Sequence, residues 1–89
     1  MTYTKEQIAK IRQLCLRKTQ TNIDPDAVGR ERTVQMVLWS KHKKERAYIN
    51  VLKENGKRES AGYIDLATGE LHPKSSLASA LYCLKGFNL

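Results

Sequence analysis

Cationic side chains dominate the chemistry that this sequence offers, and most of their net charge falls within one stretch. Lys41 to Arg58 contains seven Lys or Arg and two Glu, which gives +5 of the chain's net charge of +7. Ammonium and guanidinium groups bind phosphates and carboxylates through charge-assisted hydrogen bonds. The stretch therefore predicts an anionic partner, which is either nucleic acid (DNA or RNA) or an acidic protein surface.

These cations form two clusters. The first, Lys41-His42-Lys43-Lys44 with Arg46, is the stronger candidate for binding phosphates; the alternative is a solvated turn that protects a sheet edge from pairing. The second contains Lys53, Lys57 and Arg58, and its alternative interpretation is a charged hairpin tip without a ligand. About eight strand residues at roughly 3.3 Å each place the clusters on the order of 25 Å apart. That spacing suits phosphates on two sides of a groove.

Two tyrosines are predicted to lie between the clusters. Tyr48 and Tyr63 would face each other across two strands, with Asn50 on the same side. Unpaired bases stack on such rings, so the pair is a candidate binding platform. The favoured interpretation is a cross-strand aromatic pair that the strand containing Trp39, or a helix, covers. Trp39, the single tryptophan, is itself expected in the core.

Turn residues and alternation predict a hairpin that positions these side chains. Asn55-Gly56 predicts a two-residue type I′ turn, because both turn positions need positive φ. One face then collects Ala47, Ile49, Val51 and Ile64 as core, and the other collects Tyr48, Asn50, Ala61 and Tyr63. The register pairs Glu54 with Lys57, Lys53 with Arg58, Ile49 with Gly62, Tyr48 with Tyr63, Ala47 with Ile64, and Arg46 with Asp65.

Helices are predicted on both sides of the strands. Thr4 to about Thr19 begins with a capping box of Thr4 and Gln7, and Ile8, Ile11 and Cys15 form its apolar stripe. Ser75 or Ser76 caps a second helix, which carries Leu77, Ala80, Leu81 and Leu84 on one stripe and ends at Gly86 as its left-handed residue.

The segments between the helices complete the predicted fold. Asp24-Pro25-Asp26 favours a single capped helical turn within a polar connection. Residues 33–44 are ambiguous, although the Thr, Val and Trp content of 33–40 favours a strand over a helix that reaches Lys44. We therefore expect one α+β domain over residues 1–89, with an N-terminal helix, a three- to four-stranded antiparallel meander and a C-terminal helix. Both helices are expected on one sheet face.

Other chemistry has little support in the sequence. Cys15 and Cys83 lack metal spacing and fall on apolar stripes, which favours reduced, buried thiols over a disulfide. His42 and His72 have no Cys or carboxylate at ligand spacing, and no phosphate loop or nucleophile triad occurs. We expect no enzyme activity, no cofactor and no metal. No apolar run approaches a membrane span and no signal peptide is visible, so the expected location is the cytoplasm; a homodimer is compatible with an edge strand.

Two segments resemble small basic phage-encoded proteins. Gly62-Tyr-Ile-Asp-Leu-Ala-Thr-Gly-Glu-Leu-His-Pro73 matches their aromatic-hydrophobic-Asp-x-x-Thr-Gly-acidic-hydrophobic pattern, and Lys85-Gly-Phe-Asn-Leu89 is similar to their ending. The chain departs from them at Ser76 to Leu84, where those proteins have Trp and Pro. The resemblance implies a phage or mobile-element origin, in a host cytoplasm, and a binding role. The helix–strands–helix order is also similar to double-stranded-RNA-binding domains, although order alone does not establish function.

Overall fold

The structure is a computed structural model that describes residues 1–23, 32–53 and 55–89. The chain forms an antiparallel five-stranded meander, in the order β1-β2-β3-β4-β5, with helices before and after it. The elements are α1 (Lys5–Leu16), β1 (Gln20–Ile23), β2 (Arg32–Lys41), β3 (Lys44–Leu52), β4 (Arg58–Asp65), β5 (Leu71–Pro73) and α2 (Leu77–Leu84), followed by a 3-10 turn (Lys85–Phe87).

The predicted α+β class is confirmed, and the sheet is larger than expected. β2 is a strand along its whole length, which resolves the ambiguity in the sequence. β1 was missed, because its four residues, Gln-Thr-Asn-Ile, are mostly polar and it forms only by pairing with β2. Asp24-Pro25-Asp26 lies outside the described residues.

One face of the sheet carries the core. Alternate residues of the strands point to this face and pack with residues of both helices, as period-2 alternation requires. The buried set includes Ile11 and Cys15 of α1, Ala80 and Cys83 of α2, and Val34, Met36, Ala47, Ile49, Val51 and Ile64 of the strands. The expectation that both helices lie on one sheet face is confirmed, and neither of these two helices packs on the other face.

The helix ends differ in detail from expectation. Thr4 and Gln7 form the predicted capping box, but α1 ends at Leu16, and Lys18 has a φ of 54°. Ser76 caps α2 by accepting a hydrogen bond from the Ser79 amide. The left-handed residue after α2 is Asn88 rather than Gly86. Glycine is needed at position 86 because a Cβ there would lie 2.7 Å from the Cβ of Thr21.

A β-bulge corrects the predicted hairpin register. From Arg46↔Asp65 to Ile49↔Gly62 the pairing is as predicted, but Asn50 pairs with Ser60, which leaves Ala61 as the extra residue. Ala61 consequently packs against the core instead of lying beside Tyr63. A Cβ on Gly62 would lie 2.4 Å from the His72 carbonyl oxygen, so only glycine permits this close approach of β5.

The bulge also changes the turn at Asn55-Gly56. Leu52 pairs with Arg58, and the Lys53 amide donates to the Lys57 carbonyl (2.8 Å), so three residues form the loop. The predicted two-residue type I′ turn, with Lys53 opposite Arg58, is therefore wrong. Gly56 has a φ of 79° and its amide donates to the Lys53 carbonyl, as in three-residue loops that end on a left-handed glycine.

Cys15 and Cys83 are buried free thiols, as the sequence predicts. Burial raises the pKa of Cys15 to about 11 and also raises the pKa of Cys83. Both side chains therefore stay protonated at neutral pH and act as small apolar groups of the core.

Candidate nucleic-acid interface

The sheet face opposite the helices is called here the open face. Alternation along each strand and direct pairing between strands identify its residues. They include Val37 and Trp39 of β2, Arg46 and Tyr48 of β3, Tyr63 of β4 and His72 of β5. Each of these side chains is partly exposed. The open face is thus rich in aromatic rings that neither α1 nor α2 covers.

Four of these residues form what we call the cross-strand stack: Trp39, Arg46, Tyr63 and His72, one from each of β2 to β5. The Arg46 guanidinium carbon lies 5.2 Å from the centre of the Trp39 ring and 4.4 Å from that of Tyr63. The Tyr63 and His72 rings are stacked, with centres 4.7 Å apart and planes 17° apart. Cation–π and ring–ring contacts of this kind hold side chains in fixed orientations.

Tyr63 is enclosed on both of its ring faces. The Tyr63 and His72 rings are nearly parallel, and their centres are as far apart as two neighbouring strands. The flat face of each ring therefore points toward the next strand. Tyr63 belongs to β4, which lies between β5 and β3. Arg46 of β3 lies over the Tyr63 ring. Tyr63 is therefore sandwiched between His72 and Arg46.

Tyr48 holds Arg46 in place from the side. The Arg46 Nη1 donates a hydrogen bond of 3.1 Å to the Tyr48 hydroxyl, and this bond raises the pKa of the guanidinium. The Tyr48 ring meets Trp39 edge-on, with ring centres 6.2 Å apart. It is tilted by 40° against Tyr63, with ring centres 5.4 Å apart. Arg46 is thus a fully charged group that its neighbours position before any ligand arrives.

The basic turn, Lys41 to Lys44, lies beside this stack. Lys41 pairs with Lys44, and both are in phase with Trp39 and Arg46, which places them toward the open face. His42 and Lys43 form the two-residue loop, with φ of 52° and 63°. The type I′ turn predicted for Asn55-Gly56 therefore occurs here, with two residues that carry side chains.

This turn is locally unfavourable in two ways. A left-handed conformation costs roughly 1–2 kcal/mol for a residue other than glycine. Like charges that face each other directly across strands are destabilising, and Lys41 faces Lys44. Within the described part of the chain, no carboxylate oxygen lies within 4 Å of the ammonium groups of Lys41, Lys43 or Lys44. The basic turn thus presents uncompensated charge.

The tip loop, Lys53 to Arg58, differs from the basic turn in both backbone strain and charge. Its left-handed residue is Gly56, for which positive φ carries no strain. Lys53 forms an ion pair of 2.8 Å with Glu59, and the hydrogen bond from Lys53 lowers the pKa of that carboxyl. Arg58 pairs with Leu52 and lines a cleft with Lys18 and Gln35 at the free edge of β2. The second predicted cluster is therefore divided, because Lys53 is neutralised while Lys57 and Arg58 stay exposed.

The structure brings the predicted site residues together unequally. Lys44, Arg46, Tyr48 and Tyr63 share the open face, whereas Lys53 pairs with Glu59, whose strand position opposite Val51 belongs to the core face. Arg12 of α1 is held by an ion pair with Glu45.

Two expectations about the aromatic residues are wrong. Trp39 is not in the core, and among the described residues no helix covers the Tyr48–Tyr63 pair; β2 contributes only the edge-on contact of Trp39 with Tyr48. Trp39 and His72 are members of the stack that the sequence did not assign to a site. The signal for Trp39 was its phase, since it stands one position out of step with the buried Val34 and Met36.

Comparison with family models, with curated proteins and with solved structures found no match to this chain. Within the described residues, no helix is both long and apolar enough to cross a membrane. The same residues contain no group of three side chains placed to hold a metal ion. The open face and the basic turn are therefore the features from which a function can be inferred.

Proposed function

We propose that this protein binds nucleic acid without catalysing a reaction, and that its basic β2–β3 hairpin contacts the phosphates. The basic turn supplies Lys41, Lys43 and Lys44, and Arg46 extends the positive surface onto the open face. The resemblance to small basic phage-encoded proteins adds a phage or mobile-element origin to this proposal.

The observation that carries the proposal is the uncompensated charge of the basic turn. Lys41 faces Lys44 across a turn whose two loop residues are both left-handed. An isolated domain gains no stability from this arrangement, whereas a polyanion would offset the repulsion and release its counterions on binding. The two-residue turn itself requires both left-handed residues; stability alone would favour Asn or Gly there, whereas this chain has His42 and Lys43 between two further lysines.

Charge reversal at the turn tests the proposal. We expect Lys43→Glu/Lys44→Glu to weaken binding to a labelled oligonucleotide on the order of 10- to 100-fold at ~0.1 M salt. The slope of log affinity against log salt should fall by about 2, one for each lost phosphate contact. Fluorescence anisotropy measured over a salt series gives both quantities.

A matched control separates the turn from net charge. Lys5→Glu/Lys85→Glu changes the net charge by the same amount, at exposed positions on the helices' side of the molecule. This control should keep most of the affinity, and Lys57→Glu/Arg58→Glu in the tip loop should fall between the two. Equal losses in all three variants, or unchanged affinity in the first, would contradict the assignment of the basic turn.

The second candidate function is a protein-interaction module that docks an acidic surface. The composition of the cross-strand stack favours it, since Trp, Tyr and Arg are the residues enriched at the energetic centres of protein interfaces. Copurification with nucleic acid, seen as a high absorbance ratio at 260 over 280 nm that falls after a high-salt wash, supports the first function. One stoichiometric protein partner that survives nuclease treatment supports the second.

A further inference from the structure

We propose that the open face selects unpaired nucleic-acid strands, with bases stacking on the two ends of the cross-strand stack. This inference rests on the proposed function and adds the class of nucleic acid. The basic turn would supply phosphate contacts to any polyanion, whereas the stack requires bases whose ring faces are free.

The stack ends in ring faces that no strand of the described residues covers. Tyr63 is enclosed by His72 and Arg46, so it offers no face to a base. Trp39 lies beyond the reach of β1, which pairs with β2 only from Arg32 to Gln35; no described strand flanks Trp39 on its outer side. His72 lies in β5, the outermost of the five strands; Thr2 bridges Glu70 and the Leu71 amide donates to the Met1 carbonyl, so the N-terminal residues flank β5 only as far as Leu71, and the His72 side chain is 40% exposed.

The spacing of these ends sets the path of the strand. Trp39 and His72 are three strand intervals apart across the sheet, about 14 Å, and two residues apart along the strands, about 7 Å, so they are separated by about 16 Å. A nucleic-acid chain that uses both rings must therefore cross the β-strands. Lys41 and Lys44 are each two residues from the stack along β2 and β3, about 7 Å away, on the same face. The phosphates of the same chain would then lie within reach of these lysines.

Charge favours this path near the basic turn. Lys41, Lys44, Arg46 and Arg58 occupy strand positions on the open face; among the described strand residues one carboxylate, that of Asp65 opposite Arg46, shares this face. At the other end, Glu70 lies 3.6 Å from the His72 ring nitrogen. We therefore expect phosphates on the Trp39 side of the stack and mainly base stacking at His72.

Unpaired strands suit this surface better than a duplex does. In a duplex the bases stack on one another and present only their edges within grooves. Unpaired bases offer their ring faces, and each base stacked on an aromatic side chain contributes roughly a 5- to 100-fold gain in affinity. Direct contact with flat rings on an uncovered sheet thus discriminates by strandedness.

The test compares single strands with a duplex of equal length. The probes are labelled oligothymidine and oligouridine of about twelve nucleotides and a duplex of the same length. We expect both single strands to bind more tightly than the duplex, the better of the two indicating DNA or RNA. We also expect them to quench the fluorescence of Trp39, the single tryptophan. This quenching requires no variant and so does not depend on the folding of one.

Two variants and one control locate the effect. His72→Ala and Trp39→Leu should each reduce single-strand affinity roughly 5- to 100-fold and leave duplex affinity nearly unchanged. Leu52→Ala removes a partly exposed apolar side chain from the same face, about 20 Å from Arg46 along β3, and should change neither.

The outcomes separate this inference from the proposed function. Equal affinity for duplex and single strands, without Trp39 quenching, overturns the inference; if Lys43→Glu/Lys44→Glu still weakens binding, the proposed function stands. Displacement of the single strand by polyglutamate of equal charge, at equal concentration, also overturns the inference, because the face would then respond to charge alone. If no probe binds, both proposals are wrong.

Discussion

The basic turn and the tip loop lie at the two ends of β3, and they differ in their left-handed residues and in the compensation of their charges. The tip loop places Gly56 at its left-handed position and pairs Lys53 with Glu59. The basic turn holds His42 and Lys43 left-handed and leaves Lys41 opposite Lys44. The residues of the tip loop favour its local stability, whereas the basic turn keeps uncompensated charge that lowers its local stability. Such local violations are expected where a surface serves binding.

The bulge at Ala61 links this difference to the sheet. One extra residue in β4 shifts the register beyond Asn50, and the loop grows from two residues to three. The Ser60 hydroxyl accepts a hydrogen bond of 3.3 Å from the Gly62 amide inside the bulge. Asn55 then serves the three-residue loop differently from a type I′ turn, since its side-chain oxygen accepts from the Lys57 amide (3.0 Å).

The largest effect on stability is expected at the tip loop. Gly56→Ala should lower the free energy of unfolding by about 1–2 kcal/mol, because alanine pays for the left-handed conformation that glycine adopts freely. No other atom lies within 4 Å of the added Cβ, so the cost is conformational and not steric. Urea denaturation followed by circular dichroism measures it.

Gly56→Asn provides the control, because asparagine tolerates the left-handed region better than alanine does. The expected order of stability is Gly, then Asn, then Ala. If the alanine variant were as stable as the wild type, the tip loop would not depend on glycine at its left-handed position. The two turns would then not differ in this respect.

A smaller effect of opposite sign is expected at the basic turn. Lys43→Gly removes the strain of a φ of 63° but adds freedom to the unfolded chain, so we expect a net gain of about 0.5–1 kcal/mol. The same change removes a cation, and the salt dependence of nucleic-acid binding should fall by about 1 in slope. Thermal denaturation and anisotropy are measured on one preparation.

Stability and binding should therefore move in opposite directions at Lys43. Lys43→Asn keeps tolerance for positive φ without the added freedom of glycine, and it should lose the same binding contact. A variant that gained stability and kept full affinity would show that the lysine is not retained for binding.

The fold was largely predictable because its signals are local. The capping box at Thr4, the cap at Ser76 and the pairing of Tyr48 with Tyr63 depend on residues close in sequence or on simple alternation. The bulge was not predictable, since it depends on a backbone approach between Gly62 and His72 that appears only in the folded sheet. Its consequence was the misassigned turn, because Asn-Gly suits both a two-residue and a three-residue loop.

The charges of the candidate site and the pairing of Tyr48 with Tyr63 were predictable, whereas the participation of Trp39 and His72 was not. Lysines near a hairpin turn mark a cationic surface whatever the fold. Whether Trp39 is covered depends on which face the helices occupy, and both faces of β2 are apolar enough to serve as core. His72 joined the site only because the short strand β5 places it beside Tyr63.

The smallest expected effect concerns the ion pair that neutralises Lys53. The hydrogen bond from Lys53 lowers the pKa of Glu59 below its ordinary value of 4.5, so the charged carboxylate stabilises the folded state above that pH. The contribution is lost as the pH falls through the lowered pKa. Glu59→Gln should therefore flatten the decline of stability as the pH falls below 4.5, which urea midpoints at several pH values would record.

Lys53→Met should flatten the same decline, and the double variant should add nothing further, since one pair accounts for both effects. Glu59→Gln also frees the Lys53 ammonium group, which makes the tip loop resemble the basic turn in charge. If the tip loop lies near bound nucleic acid, affinity and its salt dependence should then rise slightly. Unchanged affinity would confine phosphate binding to the basic turn, and the two ends of β3 would differ in function as they do in construction.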